Sequence, residues 1–370
     1  MLQEAASNGR TITLFGNLTK RLMAGPIEAA DVRVSTAGLN RVLEYEPHDL
    51  TVSVEAGLRW RDLTRLLGGN RQMVPLDPPF SETATVGGVI AANQSGPRRR
   101  LYGSARDLVI GMKFATLEGK LVQSGGMVVK NVAGLDMAKL LIGSFGTLAA
   151  IAVVNFKIIP APECERSFLL PFETAAGAMA ARDRILRGQL QPAALDLLNP
   201  ACAAGVGSRG WTLAVRAGGN SAVMDRYEPE LGELAAGVAL EDERQETLWR
   251  VIEDLTPRFL EGHGDGAVVR ASCTLKNVGA VMESFSGPAL ARAGTGVCYG
   301  YFDDAGAAAA WIKDAAAKKW SAVIEFAPEA RKAGMELWPA PGHDLEIMKQ
   351  IKQLFDPSNL LNRGRVFRLI

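Results

Sequence analysis

The sequence predicts an α+β protein with two parts of different pattern. Short strand and helix patterns alternate over the first 160 residues or so. A regular strand and helix rhythm, with a spacing of roughly 35–45 residues, follows and is typical of a sheet covered by helices on one side. Pro160 and Pro162 interrupt regular structure between the two patterns. We therefore expect a first domain at 1–162, a second at 163–338, and a tail at 339–370 that returns to the first.

The elements of the first part follow from local patterns. TVSVEAG at 51–57 alternates as a strand does, and RWRDLTRLLGG after it predicts a helix closed by glycine. VGGVIAAN predicts a short buried helix, and DLVIGMKFATLEGKLVQSG predicts a hairpin around Glu118 and Gly119. GLDMAKLLIGSFGTL predicts a helix broken at Gly143 and Gly146, and AAIAVVNFKIIP predicts a buried strand.

The second part alternates apolar strand candidates such as FLLPFE, GWTLAVRAG and VCYGYFD with Ala-rich or amphipathic helix candidates. The tail begins with one amphipathic helix, DLEIMKQIKQLF, which is followed by the turn DPSN and an extended end. The interpretation of the second part is an α+β domain with a mainly antiparallel sheet.

Composition excludes several classes of function. The chain of 370 residues is 48% hydrophobic and 22% charged, which is ordinary for a globular protein. Its 41 basic and 40 acidic residues leave a formal charge of +1, so no overall field attracts nucleic acid or an anionic membrane. The basic run Arg98–Arg100 lacks the aromatic residues and wider basic stripe of a nucleic-acid surface.

The four cysteines are widely separated and have none of the paired spacings of zinc or iron–sulfur sites. We expect reduced thiols and no metal. The N-terminus lacks the apolar region of a signal peptide, and the longest apolar runs contain glycine and polar breaks. These features predict a cytoplasmic chain without direct membrane insertion, and leave open a peripheral place at the inner membrane through a complex.

Three glycine-containing segments could hold phosphate: FGNLTKRLMAG at 15–25, TATVGGVIAANQSG at 83–96 and GLDMAKLLIGSFGTL at 134–148. Backbone amides bind phosphate oxygens best where side chains are absent or the chain turns sharply. No GxGxxG follows a strand and no GxxxxGK[ST] occurs, so the commonest nucleotide motifs are absent. A bound nucleotide would lie across several loops.

These segments, in this order, resemble the FAD-binding domain of the PCMH-type, vanillyl-alcohol oxidase-like flavoprotein family. The first segment matches the family at Phe15, Gly16, Asn17, Leu18 and Thr19. The second matches at Thr85, Gly87, Gly88, Ala91, Asn93, Ser95 and Gly96, and continues at Tyr102, Gly103 and Asp107. The third matches at Lys130, Gly134, Asp136, Leu140, Gly143, Ser144, Gly146, Thr147 and Ile151, and the closing FDPSNLLNRGRVF matches at Asn362 and Arg365.

Two positions depart from the family pattern. The first loop, FGNLTK, carries one glycine where two or three are typical, and Arg363 replaces a proline of the C-terminal signature. Within the family, SGPRR before YGSARD, and KNVAGLD, are most similar to the FAD-binding subunits of bacterial glycolate oxidases.

The resemblance implies a PCMH-type domain of two α/β subdomains with an α+β cap, and noncovalent FAD held by the matched residues. It further implies oxidation of a short 2-hydroxy acid, glycolate or D-lactate, beside a larger homologous flavoprotein subunit and an iron–sulfur subunit. The alternative is a non-catalytic FAD-binding subunit that relays electrons or stabilises the complex.

Four residues are candidates for the chemistry. Lys130 and Asn131 would stabilise negative charge on reduced flavin, or else only cap a loop. Arg100, within Arg98–Arg100, would face flavin phosphates, a substrate carboxylate or a partner subunit, or else lie in solvent. His343 lies where the tail returns, so it is a candidate acid or base.

Overall fold

The computed structural model describes residues 1–127 and 135–370. The chain forms two compact units. Unit 1 contains Met1–Ser95, Gly103–Ala161 and Ala340–Ile370, and unit 2 contains Gly96–Tyr102 and Pro162–Pro339. The short segment Gly96–Tyr102, which the sequence pattern places in the first domain, groups with unit 2.

The strands, in chain order, are β1 (Ile12–Phe15), β2 (Val32–Ser35), β3 (Val42–Glu46), β4 (Thr51–Glu55), β5 (Gln72–Met73), β6 (Val109–Ala115), β7 (Leu121–Gly125), β8 (Ala150–Lys157), β9 (Ile159–Pro160), β10 (Cys164–Phe172), β11 (Ala194–Leu198), β12 (Trp211–Gly219), β13 (Val238–Leu240), β14 (Ala267–Ser272), β15 (Ala289–Arg292), β16 (Val297–Phe302) and β17 (Ser321–Phe326).

The helices, in the same order, are α1 (Leu2–Ser7), α2 (Trp60–Gly68), α3 (Val86–Ala91), α4 (Arg99–Tyr102), α5 (Ala105–Leu108), α6 (Met137–Leu141), α7 (Ala175–Arg187), α8 (Pro200–Ala204), α9 (Ser221–Gly232), α10 (Asp242–Glu253), α11 (Leu255–Gly262), α12 (Val278–Glu283), α13 (Ala305–Ala317), α14 (Glu329–Lys332) and α15 (His343–Phe355). No helix in the described part of the chain is both long and apolar enough to cross a membrane.

Unit 1 is built on small sheets that support its loops. Strands β1 and β2 form a parallel pair, β5 and β9 form an antiparallel pair, and a five-stranded antiparallel sheet has the order β3-β4-β8-β6-β7. Strand β4 is buried at every position because it lies inside this sheet against α2 and α3. The predicted hairpin is confirmed as β6 and β7, and Gly119 at its turn has φ +80°.

The tail is fixed to unit 1 by a buried ion pair. The Lys352 ammonium on α15 lies 2.7 Å from Asp356 Oδ2, and it also donates to the carbonyls of Thr147 (2.8 Å) and Leu361 (3.0 Å). The Asp356 carboxylate accepts the backbone N–H groups of Leu360 and Leu361. A buried charge is tolerated when its polar atoms are satisfied in this way. The pair therefore sets where the chain continues after α15.

Unit 2 is organised around one eight-stranded sheet in the order β13-β10-β12-β11-β15-β16-β14-β17, with antiparallel pairing throughout. One face carries the apolar core, in which α7, α9, α12 and α13 pack on the sheet. The fold is thus α+β with a mainly antiparallel second sheet, as the sequence predicts.

The expectation that helices cover this sheet on one side only is wrong. Trp249 on α10 donates from Nε1 to Ser167 Oγ (2.7 Å), and Thr256 on α11 lies 3.1 Å from the Tyr301 hydroxyl. Ser167 and Tyr301 alternate with the core residues Phe168 and Phe302, so they point to the opposite face. Sequence periodicity identifies an amphipathic helix but does not specify which face of a sheet it covers.

Asp356→Asn is expected to destabilise the protein by about 3–5 kcal/mol, because it leaves the buried Lys352 ammonium without its counter-ion. Denaturant unfolding of the purified chain measures the change. The matched control is Glu346→Gln, which removes an exposed carboxylate 2.9 Å from Lys349 and should cost no more than about 1 kcal/mol. Equal unfolding midpoints for the two variants would contradict this role of the pair.

Candidate cofactor site

A cleft in unit 1 is formed by three loops and the tail. It encloses about 960 Å³ of space, part of which is open to solvent. Its walls come from the segment after β1, the start of α3, the segment between α6 and β8, and the chain after α15. Segments that are far apart in sequence therefore meet around one space.

Thr85 organises the wall made by α3. Its hydroxyl caps this helix by accepting the Gly88 N–H at 3.2 Å, and a Cβ on Gly16 would lie 2.3 Å from the same oxygen. Only glycine at position 16 lets the first loop approach this closely. The N-cap and the first loop are thus packed directly against each other.

Two adjacent glycines of α3 have different roles. A Cβ on Gly87 would lie 2.8 Å from Ala56 Cβ, so this glycine lets the helix pack on the end of β4. A Cβ on Gly88 would meet only Thr85 Oγ1, at 3.1 Å, and Gly88 lines the cleft. Gly87 therefore serves the fold, whereas Gly88 leaves open space in the cleft.

Asn362 joins three walls of the cleft. Its Oδ1 accepts the Leu14 N–H at 2.7 Å, and its Nδ2 donates to the carbonyls of Leu14 (3.2 Å) and Phe145 (2.7 Å). Its own N–H donates to the Ile12 carbonyl at 2.9 Å. Because the side-chain amide is occupied by backbone groups, Asn362 holds the walls in position.

Arg365 performs a similar task for the first loop. Its guanidinium is buried, donates to the carbonyls of Gly25 (2.7 Å) and Lys20 (3.4 Å), and lies 5.7 Å from the centre of the Phe145 ring. The loop itself contains a left-handed residue, Leu18, with φ +56°. A leucine in this region costs about 1–2 kcal/mol that glycine would not. The FGNLTK loop, which has a single glycine, therefore contains a strained backbone position at Leu18.

Most residues of the first loop and of the start of α3 that the motifs singled out are together in the cleft. The predicted cofactor residues that line it are Phe15, Gly16, Asn17, Leu18, Thr19, Thr85, Gly87, Gly88, Ala91, Gly146, Ile151, Asn362 and Arg365.

Other predicted residues lie outside the cleft lining and support the fold. Asp107 accepts the N–H and hydroxyl of Ser104 near Gly103, Asp136 caps α6, and the Thr147 carbonyl accepts a hydrogen bond from Lys352. The predicted cofactor residues outside the lining are Asn93, Ser95, Gly96, Tyr102, Gly103, Asp107, Asp136, Gly143 and Thr147. Lys130, Asn131 and Gly134 lie outside the described residues.

The basic run belongs to unit 2, where it has partners. Arg98 Nη2 lies 3.0 Å from Glu165, whose pKa is lowered by Arg216 and Arg98 although burial opposes the shift. Arg100 donates to the Pro192 carbonyl at 2.7 Å and lies beside Gly294. The structure therefore does not bring Arg100 into the unit 1 cleft.

The histidines are also outside the cleft. His343 is the first residue of α15 and is exposed, and His48 and His263 are exposed as well. His263 is bonded to the Phe259 carbonyl at 2.9 Å. Within the described ranges, no group of three or more histidine, cysteine or acidic side chains is arranged to bind a metal.

A second polar group lies on the sheet face of unit 2 that is opposite its apolar core. Arg270 on β14 pairs with Glu325 on β17 (Nε to Oε1, 3.2 Å), and Arg292 on β15 pairs with Asp196 on β11. Tyr299 lies on the strand between the two arginines. Burial raises the pKa of the Glu325 carboxyl and raises that of Tyr299 to about 12. The face thus carries two ion pairs around a neutral phenol.

Sequence reasoning missed this face and part of the cleft. The cleft residues that no motif singled out are Thr13, Leu14, Lys20, Arg21, Ile27, Glu28, Thr36, Ala92, Phe145, Ala149, Ala150 and Arg363. Lys20 could have been found, because it is a cation inside the first loop of the motif set. The others flank motif residues without a pattern of their own.

Two family profiles cover almost the whole chain. Residues 1–125 match the family described as FAD binding domain. Residues 161–338 and 340–366 match FAD linked oxidases, C-terminal domain. The chain belongs to the FAD-linked oxidase family. Its cofactor is FAD, as the motifs predict.

Curated relatives match over parts of their length. The glycolate oxidase subunit GlcE of Escherichia coli is 31% identical over 52% of this chain and 53% of its own length. The glycolate oxidase subunit GlcD of Bacillus subtilis is 32% identical over 44% of this chain and 34% of its own length. The matches thus span between a third and about half of these relatives.

Solved structures agree on the fold. p-Cresol methylhydroxylase with substrate bound aligns with 100% of this chain and 86% of its own, with a TM-score of 0.77 at 14% identity. The 4-ethylphenol oxidase from Gulosibacter chungangensis aligns with 100% of this chain and 87% of its own, with a TM-score of 0.73 at 14% identity. The fold is therefore that of PCMH-type flavoproteins.

The residues of the cleft fit FAD. Gly16 lets the first loop lie directly against Thr85, and Gly88 keeps a side chain out of the cleft beside them. Lys20, Arg21, Arg363 and Arg365 line the cleft with one carboxylate, Glu28, and this excess of positive charge suits a pyrophosphate.

Gly88→Val is expected to weaken FAD binding at least about tenfold, because its side chain would occupy space in the cleft. Flavin absorbance after gel filtration and a fluorescence titration measure retention and affinity. Gly38→Val is the control, since no heavy atom outside its chain neighbours lies within 4 Å of a Cβ there. Wild-type flavin content in a folded Gly88→Val variant would exclude this placement of the cofactor.

Proposed function

We propose that the chain is an FAD-dependent subunit of a dehydrogenase complex that oxidises a short 2-hydroxy acid, glycolate or D-lactate. The observation that carries this proposal is the loop-built cleft in a chain similar to glycolate oxidase subunits. A D-lactate dehydrogenase of Anaerostipes hadrus, 32% identical over 45% of this chain and 35% of its own length, supports the same substrate class.

In this proposal the cleft residues Gly16, Thr85 and Gly88 leave room for FAD, and Asn362 and Arg365 keep the surrounding walls in position. FAD, when bound, accepts the two electrons that convert a 2-hydroxy acid into a 2-oxo acid. Lys130 and Asn131 remain candidates for the polar groups near the flavin ring.

The polar face of unit 2 offers charges that suit a carboxylate substrate. Arg270 presents a partly exposed guanidinium, and its partner Glu325 has a raised pKa because it is buried. A substrate carboxylate would replace Glu325 as the partner of Arg270, and it would do so most easily when Glu325 is protonated. We therefore assign substrate binding to Arg270. Arg100 and His343 remain lesser candidates, since Arg100 is bonded to Pro192 and His343 is exposed.

The proposed partners are a larger homologous flavoprotein subunit and an iron–sulfur subunit that accepts the electrons. The similarity to two differently named glycolate oxidase subunits supports an assembly of this kind. In the cell, the proposed location is the cytoplasm, with any place at the inner membrane depending on these partners.

The alternative is an electron-relay or structural subunit that binds FAD without catalysis. One observation favours it: all three histidines are exposed, although histidine is the commonest general base in enzymes. In that case a partner subunit would supply the base.

Anaerobic mixing of the FAD-loaded chain with glycolate or D-lactate separates the two functions. The catalytic proposal predicts that one of these acids bleaches the flavin spectrum of the isolated chain. Bleaching that occurs only after partner subunits are added would establish the relay alternative. No bleaching by either acid in the complete complex would exclude the 2-hydroxy acid class.

Substitutions of Arg270 and of Glu325 are expected to change the substrate concentration for half-maximal flavin reduction in opposite directions. Arg270→Met should raise the substrate concentration for half-maximal flavin reduction at least about tenfold, because a charge-assisted hydrogen bond is lost. Glu325→Gln should lower it, since it removes the competing carboxylate. Arg331→Met, at an exposed arginine 2.7 Å from Asp265 in the same unit, is the control. Equal behaviour of Arg270→Met and the control would refute the assignment.

A further inference from the structure

Lys20 occupies an unusual position in the cleft. Its ammonium lies in the first loop, 3.3 Å from Thr19 Oγ1 and 5.7 Å from the centre of the Phe80 ring. Thr19 and Phe80 are both uncharged, so neither compensates the charge of the Lys20 ammonium. No carboxylate in the described part of the chain forms an ion pair with it. The side chain is half-buried, and partial removal of a cation from water without an anion beside it is unfavourable.

The other cations of the cleft are in different situations. Arg363 lies 3.2 Å from Glu28 and is therefore paired, whereas Arg365 is held by backbone carbonyls, one of them that of Lys20. Arg21 lines the cleft from the same loop and is exposed. Lys20 thus differs from Arg363 and Arg365 because its ammonium lies beside a hydroxyl and an aromatic ring, and it differs from Arg21 because it is half-buried.

We infer that Lys20 binds the pyrophosphate of FAD and that cofactor binding is thereby coupled to the uptake of a proton. This inference rests on FAD as the cofactor and is independent of the substrate. The pyrophosphate is the only permanently doubly negative group of FAD, and it would supply the counter-charge that the protein does not. A flavin ring or an adenine would not provide such a charge.

The direction of the pH dependence of FAD binding follows from the charge of Lys20 in the chain without FAD. Burial lowers the pKa of the Lys20 ammonium to about 7. A nearby phosphate anion favours the charged form and raises this pKa again. Below about pH 7 the ammonium is already protonated before FAD arrives, so affinity is independent of pH. Above it, each unit of pH should weaken FAD binding by up to about tenfold until the pKa of the complex is reached.

The neighbouring charged groups do not produce the same profile. Arg21, Arg363 and Arg365 carry guanidinium groups, which stay positively charged in proteins and therefore take up no proton. Glu28, the carboxylate in the described lining of the cleft, lies 3.2 Å from Arg363 and is paired with it. A proton taken up on the alkaline side of neutrality is therefore a signature of Lys20.

Calorimetric titration of FAD into the cofactor-free chain, in two buffers of different ionisation enthalpy, measures the protons taken up. We expect nearly one proton per FAD at about pH 8.5 and almost none at about pH 6. Lys20→Arg should retain most of the affinity at about pH 6 and bind without proton uptake at either pH, since arginine is always charged. Lys20→Met should bind at least about tenfold more weakly at about pH 6 and also lose the uptake.

Arg65→Met is the matched control, because it removes an exposed cation of α2 in the same unit that does not line the cleft. It should keep the proton uptake of the wild type. Wild-type binding without proton uptake at about pH 8.5, or an uptake that persists in folded Lys20→Met, would overturn the inference. Because the titration contains no 2-hydroxy acid, its result does not depend on whether the proposed substrate class is correct.

Discussion

The cleft of unit 1 depends on the side-chain amide of Asn362. Its Oδ1 accepts the Leu14 N–H, and its Nδ2 donates to the carbonyls of Leu14 and Phe145. Three segments that the sequence separates by more than 100 residues are thereby held in one arrangement. The backbone of Asn362 is in the left-handed region, with φ +40°, and this conformation makes the geometry available. Asparagine adopts that region more readily than most residues. The buried pair of Lys352 and Asp356 brings Asn362 to this place.

The glycines of the motif set divide into two physical roles. Gly146 has φ +71°, and a Cβ there would lie 2.8 Å from Asn362 Nδ2, so it permits the contact between two walls of the cleft. Gly88, in contrast, keeps space open in the cleft itself. A substitution of the first kind alters the fold, whereas one of the second kind alters binding. The two roles look alike in a sequence because both require only the absence of a side chain.

The sequence allowed the fold class, the hairpin of β6 and β7, and the motif residues of the first loop and of α3 to be predicted. Those predictions depend on local periodicity, turns and short motifs. Phe145 was missed because its place in the cleft depends on how separate loops meet, whereas Lys20 was a cation inside the first loop that could have been found. The position of Arg98 and Arg100 was also not predictable. They lie in the seven-residue segment Gly96–Tyr102, which belongs to unit 2 although the chain on either side of it belongs to unit 1. The Arg270 and Glu325 pair arises from strands more than 50 residues apart in sequence.

The tail fixes the first loop and the segment before β8 around the unit 1 cleft through Asn362, and FAD binding is expected to depend on this contact. The most direct measurement is the dissociation constant for FAD of Asn362→Ala, together with its thermal unfolding and with the exposed Asn70→Ala as control. Asn362→Ala is expected to fold and to bind FAD at least about tenfold more weakly, while the control should bind as the wild type does. A folded Asn362→Ala variant with the affinity of the control would contradict it.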